Sequence, residues 1–285
     1  MSGARPTRRR RGAHRIRPKS ARRPARRRLP SAARLGAAAM LVAAVAVLAA
    51  LTAGPWLRVA RASWQGERYT PTEQIAAAVQ PATGHSLVTL DTAQLADRLR
   101  ALPAVADARV AARLPDELRV EITEKRPAAV WQTSAARLIV AGDGAVIGAL
   151  AVGAELPGEL SRLPLVDDRR TASRDIIVGD RLPAGSVGTA LQLAVLDPAS
   201  MGSSSRQVSV LIDDQYGFVV VSARPDWSAA FGFYGLDTSN SPAASGAQIR
   251  AQVDAVRTLF ANRAESTIAW VDARNPGKVY FRAKG

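Results

Sequence analysis

The chain has 285 residues, no cysteine and a formal net charge of +15. The absence of cysteine excludes disulfides, so its folded parts must rest on ordinary apolar cores. The charge is concentrated in residues 1–34, which hold fourteen Lys or Arg and no acid, whereas the remainder holds twenty-five against twenty-four. This distribution argues against a basic nucleic-acid-binding domain and predicts a disordered basic tail.

The tail is followed by twenty-three residues without a charge, residues 35–57. As a helix this run would be about 34 Å long, against a bilayer hydrocarbon core of about 30 Å. Trp56 lies where an aromatic ring would rest at the membrane interface. The sequence therefore predicts a single transmembrane helix, with the tail in the cytoplasm beside anionic lipid headgroups and the remaining residues outside the plasma membrane.

A cleaved signal peptide is the competing interpretation of this region. Arg26-Arg27-Arg28-Leu29 resembles part of a twin-arginine signal, and Ala60-Arg61-Ala62 resembles a cleavage site. The uncharged run is longer than the roughly 7–15 residues of a signal-peptide core. Pro30 also interrupts the twin-arginine pattern. We therefore favour a retained anchor.

The residues after the anchor predict a small α+β domain. A strand at 59–64 precedes two helices, the first with Thr70 and Glu73 at capping-box spacing and the second with Asp91 as its N-cap. Residues 105–114 alternate, with Ala106, Ala108, Val110 and Ala112 expected on one face, and residues 118–123 alternate in turn. The predicted order is β-α-α-β-β, with both helices on one face of the sheet.

Residues 99–131 resemble the POTRA domain of the FtsQ/DivIB family of bacterial division proteins. Leucine-proline pairs end the second helix and begin the hairpin turn, and the last strand closes on a Glu-x-x-Pro-x-Ala sequence. The resemblance is carried by residues that match the family pattern, namely Pro103, Val105, Val110, Pro115, Leu118, Glu124, Pro127 and Ala129. Their combination, directly after a basic tail and one predicted membrane span, is what makes the resemblance specific.

The remaining residues predict a mixed, strand-rich β domain. A hairpin is expected at 137–147, two strands at 208–212 and 218–222, and a strand, turn and strand at 267–282. Ser245 and Gln248 have capping-box spacing before an amphipathic helix, whereas 151–205 gives little pattern. The predicted organisation is a disordered tail (1–34), a transmembrane helix (35–57), a POTRA domain (58–127) and an FtsQ-type β domain (128–285).

No pattern in the chain predicts catalysis, a cofactor or a metal. The two histidines, His14 and His85, have neither a second histidine nor a cysteine at metal-ligand spacing. No serine lies in a nucleophile motif, and no glycine-rich phosphate loop is present. One carboxylate at Asp143 cannot supply the 6–8 oxygen ligands of calcium. We therefore expect a non-enzymatic protein without a cofactor.

The resemblance implies what such a protein binds. Family members act at the division septum and bind single-pass proteins of the FtsL and FtsB/DivIC type, with a partner strand pairing near the C-terminal edge of the β domain. Carried over to this chain, that region contains Trp270, Asp272, Arg274, Asn275, Val279, Tyr280 and Phe281. The predicted POTRA sheet, with Arg109, Arg113 and Arg119 on alternate positions, is a second candidate surface.

Two other functions remain open. A POTRA domain also occurs in secretion and outer-membrane assembly proteins, which usually carry tandem repeats or a β-barrel; neither is recognisable here. A membrane-anchored enzyme acting on the cell wall is the other alternative, although it would need a nucleophile or base that the sequence does not reveal.

Overall fold

The computed structural model describes residues 32–53, 55–236, 244–275 and 277–285. The chain divides after Ala50 into two compact units. Helix α1 is Ala32–Ala53, and a short 3-10 helix follows at Pro55–Leu57. The helix was predicted to end at residue 57. It ends at Ala53 instead, because Pro55 has no N–H with which to extend an α-helix. Within the ranges given above, no helix is both long and apolar enough to cross a membrane.

The predicted basic tail lies outside the described residues, apart from residues 32–34, which begin α1. The second unit, Leu51–Gly285, contains all the strands of the described chain. It holds two sheets, one of three strands and one of nine.

The three-stranded sheet has the predicted β-α-α-β-β order. Its elements are β1 (Arg61–Gln65), α2 (Thr72–Val79), α3 (Thr92–Arg100), β2 (Val105–Arg113) and β3 (Glu117–Glu124). The central strand β3 pairs parallel with β1 and antiparallel with β2. Both helices place apolar residues in the core beneath the sheet, where Ile75 and Leu99 are fully buried with Leu118 and Val120. The order of the POTRA elements is therefore confirmed.

Two local predictions within this sheet are wrong. Thr70 does not cap α2, because its hydroxyl donates to Glu124 Oε1 at 2.6 Å; the N-cap is Pro71, which has no side-chain cap bond. Ala106 is exposed rather than on the core face, since a register shift between Val105 and Asp107 displaces the alternation. A β-bulge of this kind puts one extra residue on one strand. Asp91, by contrast, caps α3 as predicted and accepts from the Gln94 N–H at 2.9 Å.

The nine-stranded sheet is mixed and runs from β12 at one edge to β6 at the other, in the order β12-β11-β10-β9-β8-β7-β4-β5-β6. Three pairs are parallel, namely β4 with β7, β7 with β8, and β10 with β11. Its strands are β4 (Pro127–Gln132), β5 (Arg137–Ala141), β6 (Val146–Leu150), β7 (Leu165–Asp168), β8 (Ser209–Asp213), β9 (Gly217–Ala223), β10 (Asp226–Gly232), β11 (Ile268–Asn275) and β12 (Lys278–Ala283).

Two helices complete this part of the fold, α4 (Ala184–Ala194) and α5 (Gly246–Asn262). Both pack into one core with Trp131, Phe218 and Trp227 of the sheet. Ser245 and Gln248 form the predicted capping box at the start of α5. Helix α4 and strands β7 and β10 were not predicted. Helix α4 has neither a side-chain cap nor a charged residue, and β7 has only four residues. The sequence signals of α4 and β7 are therefore weak.

Candidate protein-binding site

Strand β12 is an outer strand of the nine-stranded sheet. It pairs antiparallel with β11 on one side. On its other side, no strand of the described chain is paired with it. Tyr280 and Phe281 on β12 are 59% and 40% exposed, large values for aromatic side chains. An unpaired strand edge offers backbone N–H and C=O groups to another chain, so β12 has the geometry of a strand-pairing site.

The sequence of the hairpin explains why the edge forms here. Residues 274–277 read Arg-Asn-Pro-Gly, and Gly277 has φ +80°, a conformation that glycine adopts without steric cost. The turn brings Lys278 opposite Asn275, Tyr280 opposite Asp272 and Phe281 opposite Val271. Residues directly opposite on paired strands share a face of the sheet. Tyr280 and Phe281 therefore project on opposite faces.

On the face of Phe281, the edge borders helix α5. Val271, opposite Phe281, is buried, and Val279 packs partly against the main core. The Arg263 guanidinium lies over the Phe281 ring, 5.1 Å from its centre. Between helix and edge runs an open groove of about 630 Å³, whose lining is Ala251, Asp254, Ala255, Thr258, Leu259, Asn262, Arg263, Gly277 and Val279. A side chain from an added strand could enter this groove.

On the face of Tyr280, the neighbouring strand carries a compact aromatic and ionic cluster. The Trp270 ring centre lies 4.4 Å from that of Tyr216, and the Arg274 guanidinium is 5.2 Å from the Tyr216 ring. Arg274 also donates two hydrogen bonds to the Asp272 carboxylate, at 2.9 and 2.6 Å. These bonds hold the pKa of Asp272 below its usual value and raise that of Arg274, so the pair is charged at neutral pH.

The structure therefore divides the seven predicted residues into two groups. Val279, Tyr280 and Phe281 lie on the outer strand, where the two aromatic rings are exposed and Val279 is partly buried. Trp270, Asp272, Arg274 and Asn275 lie one strand inward, where only their side chains can contribute. The prediction missed Tyr216, whose contact with Trp270 depends on the fold, and Arg263. The spacing of Ala251 and Ala255, which puts small side chains one helical turn apart, is a sequence signal for the groove that the prediction did not use.

The POTRA motif residues are structural in position rather than grouped at one site. Val105, Leu118 and Ala129 are buried, whereas Val110, Pro103 and Pro127 are partly buried and Pro115 is exposed. The Glu124 carboxylate accepts from the backbone N–H groups of Tyr69 and Thr70. The two arginines on β2, Arg109 and Arg113, are exposed, and Arg119 on β3 is partly exposed. Nothing else in these positions distinguishes the POTRA sheet as a binding surface.

The described ranges of the chain were compared with the requirements of a metal site. They contain no group of three or more histidine or carboxylate side chains that could hold a metal ion. Asp143 lies instead between two cations, with Lys125 Nζ at 3.1 Å and the Arg181 guanidinium at 3.2 Å. His85 is exposed in its loop, whereas His14 is outside the described residues.

Comparison with known proteins finds similarity to one family. The family model for the POTRA domain, FtsQ-type, matches residues 46–125. The cell division protein FtsQ of Chloroflexus aurantiacus is 30% identical over 151 residues, 53% of each chain. FtsQ of Novosphingobium aromaticivorans is 25% identical over 209 residues, 70% of this chain and 53% of the relative. The chain thus matches about half the length of these relatives. The resemblance to the FtsQ/DivIB family is confirmed.

Proposed function

We propose that this chain, which resembles the FtsQ/DivIB family of bacterial cell division proteins, is a non-catalytic scaffold. It binds other membrane division proteins at the edge strand β12. Its partners are single-pass proteins of the FtsL and FtsB/DivIC type, and their assembly supports the septal wall machinery. The observation that carries this proposal is the outer position of β12 with the exposed rings of Tyr280 and Phe281.

Strand addition would use both the backbone and the two faces of the edge. Backbone hydrogen bonds to β12 would supply affinity, and side chains at alternate positions of the added strand would supply specificity. One set of these side chains would enter the groove beside α5, which Val279 and Leu259 make partly apolar. The other set would lie over Tyr280, near Asp272. Aromatic side chains of this kind are favoured as binding hot spots.

The charges of the outer strand fit this role. Lys278, Arg282 and Lys284 stand at the edge, and this short segment contains no acid. Charged side chains, especially lysine, oppose pairing between the exposed edges of identical proteins. The edge is thus protected from self-association while remaining available to a partner of complementary sequence.

The scaffold would be held at the membrane by its N-terminal region. The uncharged residues 35–57 supply the anchor, and the fourteen preceding cations place the N-terminus in the cytoplasm, beside anionic lipid headgroups. The POTRA and β domains would then lie outside the plasma membrane at the division septum. Proteinase added to intact protoplasts tests this topology, because it should digest residues 58–285 and leave an N-terminal tag protected.

A capture experiment tests the binding function. The tagged full-length protein is solubilised from the membranes of its host, and co-purifying proteins are identified by mass spectrometry. A variant carrying Tyr280→Glu and Phe281→Glu changes the two exposed rings of β12. Its matched control carries Leu114→Glu and Val195→Glu, which change two exposed apolar residues elsewhere.

Small single-pass proteins should co-purify with the wild type and the control but be lost from the edge variant. All three proteins should unfold at similar temperatures, because the four changed side chains are exposed. Equal capture by the edge variant would contradict the proposed site. Failure of the wild type to capture any small single-pass protein would contradict the proposed function itself.

A further inference from the structure

In the POTRA part of the chain, two segments that are distant in sequence are joined by backbone hydrogen bonds. The Leu87 N–H donates to the Leu57 carbonyl at 2.7 Å, and the Val59 N–H donates to the His85 carbonyl at 2.9 Å. Between these bonds, Arg58 forms an antiparallel bridge with Ser86. We call residues 56–59 and 85–88 the apex.

The apex is attached to the core of the POTRA domain by buried side chains. Val59 and Leu87 are buried there with Val79 and Leu95. Gly84 adds a third backbone bond, from its N–H to the Val59 carbonyl at 2.9 Å. The backbone of the apex is therefore held in place by buried side chains and by hydrogen bonds.

Each segment of the apex carries one exposed apolar side chain. Trp56, next to Leu57, is 74% exposed, and Val88, next to Leu87, is 54% exposed. Because Leu57 and Leu87 are hydrogen-bonded to each other, the two exposed residues are attached to neighbouring points. Arg58, also exposed, follows Trp56 by two residues and forms the bridge with Ser86 on the other segment. A tryptophan, an aliphatic side chain and an arginine together match the chemistry of a membrane interface.

We propose that the apex rests against the surface of the lipid bilayer, with Trp56 and Val88 at the level of the headgroups. The proposal rests on the membrane anchor proposed above, because the uncharged run 35–57 ends at Leu57, within the apex. A tryptophan beside a membrane span needs no folded domain to reach the interface. Val88 is different, since it lies thirty-one residues beyond the run and is brought there by the fold.

Contact at Val88 would restrict how the POTRA domain moves. A domain tethered only by its anchor could rotate freely about the tether. A second contact with the bilayer, on a different segment, limits that rotation and directs the apex toward the membrane. The contribution of each interfacial side chain is modest, but it acts in addition to a tether that already keeps the domain beside the bilayer.

The absence of cysteine allows a direct test. Single cysteines are introduced by Val88→Cys at the apex, Val195→Cys at an exposed position far along the chain and Leu41→Cys in α1. Each is labelled with a polarity-sensitive fluorophore in the full-length protein. The proteins are reconstituted into vesicles of phosphatidylethanolamine and phosphatidylglycerol, with or without a lipid bearing a nitroxide quencher near its headgroup.

The label at residue 88 should emit at shorter wavelength than that at residue 195 and lose most of its intensity to the lipid quencher, whereas the label at residue 195 should lose little. Equal quenching at residues 88 and 195 would overturn the proposal. So would a blue-shifted label at residue 88 that lipid does not quench, because that outcome indicates contact with protein. Residue 41 reports on the anchor separately: quenching at 41 without quenching at 88 overturns the apex contact alone.

Discussion

Glu265 connects three parts of the chain immediately before β11. Its carboxylate accepts hydrogen bonds from the Ser203 hydroxyl, from the N–H and hydroxyl of Ser204 at 2.9 and 2.8 Å, and from the Trp227 indole N–H at 2.6 Å. Burial by itself would raise the pKa of Glu265, but these hydrogen bonds outweigh it and lower the pKa below its usual value of 4.5. The carboxylate therefore holds in place the segment just before β11, the strand that pairs with the outer strand β12.

Replacing Glu265 tests this role through acid stability. A group whose pKa is lowered by folding stabilises the protein above its ordinary pKa, and that stability is lost as the pH falls through the folded pKa. Glu265→Gln should lower the free energy of unfolding at neutral pH by about 1–3 kcal/mol, the usual cost of leaving buried donors unsatisfied. The deficit should shrink as the pH falls below 4.5.

Urea unfolding of the solubilised full-length protein at neutral and acidic pH measures the deficit. Glu155→Gln, at an exposed position, serves as the control and should change stability little at any pH. A deficit for Glu265→Gln that stays constant from neutral to acidic pH would show that the charge of the carboxylate is not what stabilises β11.

Individual elements show where sequence patterns succeed and where they fail. Ser245 with Gln248 and Thr70 with Glu73 have the same spacing, yet only the first pair forms a capping box. Thr70 instead bonds Glu124, fifty-four residues away, a contact that local sequence cannot reveal. The hairpin of β11 and β12 was predicted because alternation and an Asn-Pro-Gly turn are local signals. Its contact with Tyr216 could not be predicted, because that residue lies on another hairpin.

The capping box makes a specific prediction for α5, the helix that borders the edge groove. The Ser245 hydroxyl accepts from the Gln248 N–H at 3.1 Å, and the Gln248 side chain accepts from the Ser245 N–H at 2.9 Å. Ser245→Ala should cost about 1 kcal/mol of stability, since it leaves a helix N-terminal donor without its partner. Thermal unfolding of the solubilised protein measures the loss. An unchanged unfolding temperature would mean that solvent replaces the cap at no cost.

At the scale of the molecule, the two sheets are joined by polar and apolar contacts. Tyr69 donates from its hydroxyl to Glu159 at 2.5 Å, and Arg68 forms an ion pair with the same carboxylate at 2.8 Å. Lys125 pairs with Asp143 at 3.1 Å. Ala104, just before β2, is buried in a cluster with residues of β4, β5 and β6. These contacts lie within one compact unit of the chain.

The Tyr69 contact predicts a loss of stability in alkali. Burial, together with the hydrogen bond to Glu159, raises the pKa of Tyr69 from 10.0 to about 12. A group whose pKa is raised by folding contributes its full stability below its ordinary pKa and loses it as the pH rises through the folded value. The contribution of Tyr69 should therefore disappear between about pH 10 and 12.

Tyr69→Phe isolates this contribution because it keeps the ring and removes the hydroxyl. The variant should be about 1 kcal/mol less stable than the wild type below pH 10, from the lost hydrogen bond. The wild type should lose this advantage over the variant as the pH rises from about 10 toward 12. Denaturant unfolding across this range checks the prediction, which parallel pH profiles of the two proteins would contradict.

The central claim is that β12 pairs with a strand of a division partner, and cross-linking from the two outer strands tests it most directly. A photo-reactive phenylalanine analogue is placed in living cells at residue 280 on β12, or at residue 149 on β6 at the opposite edge of the sheet. We predict that residue 280 cross-links to a small single-pass membrane protein and that residue 149 does not. Cross-links of equal yield from both edges, or none from residue 280, would contradict the claim.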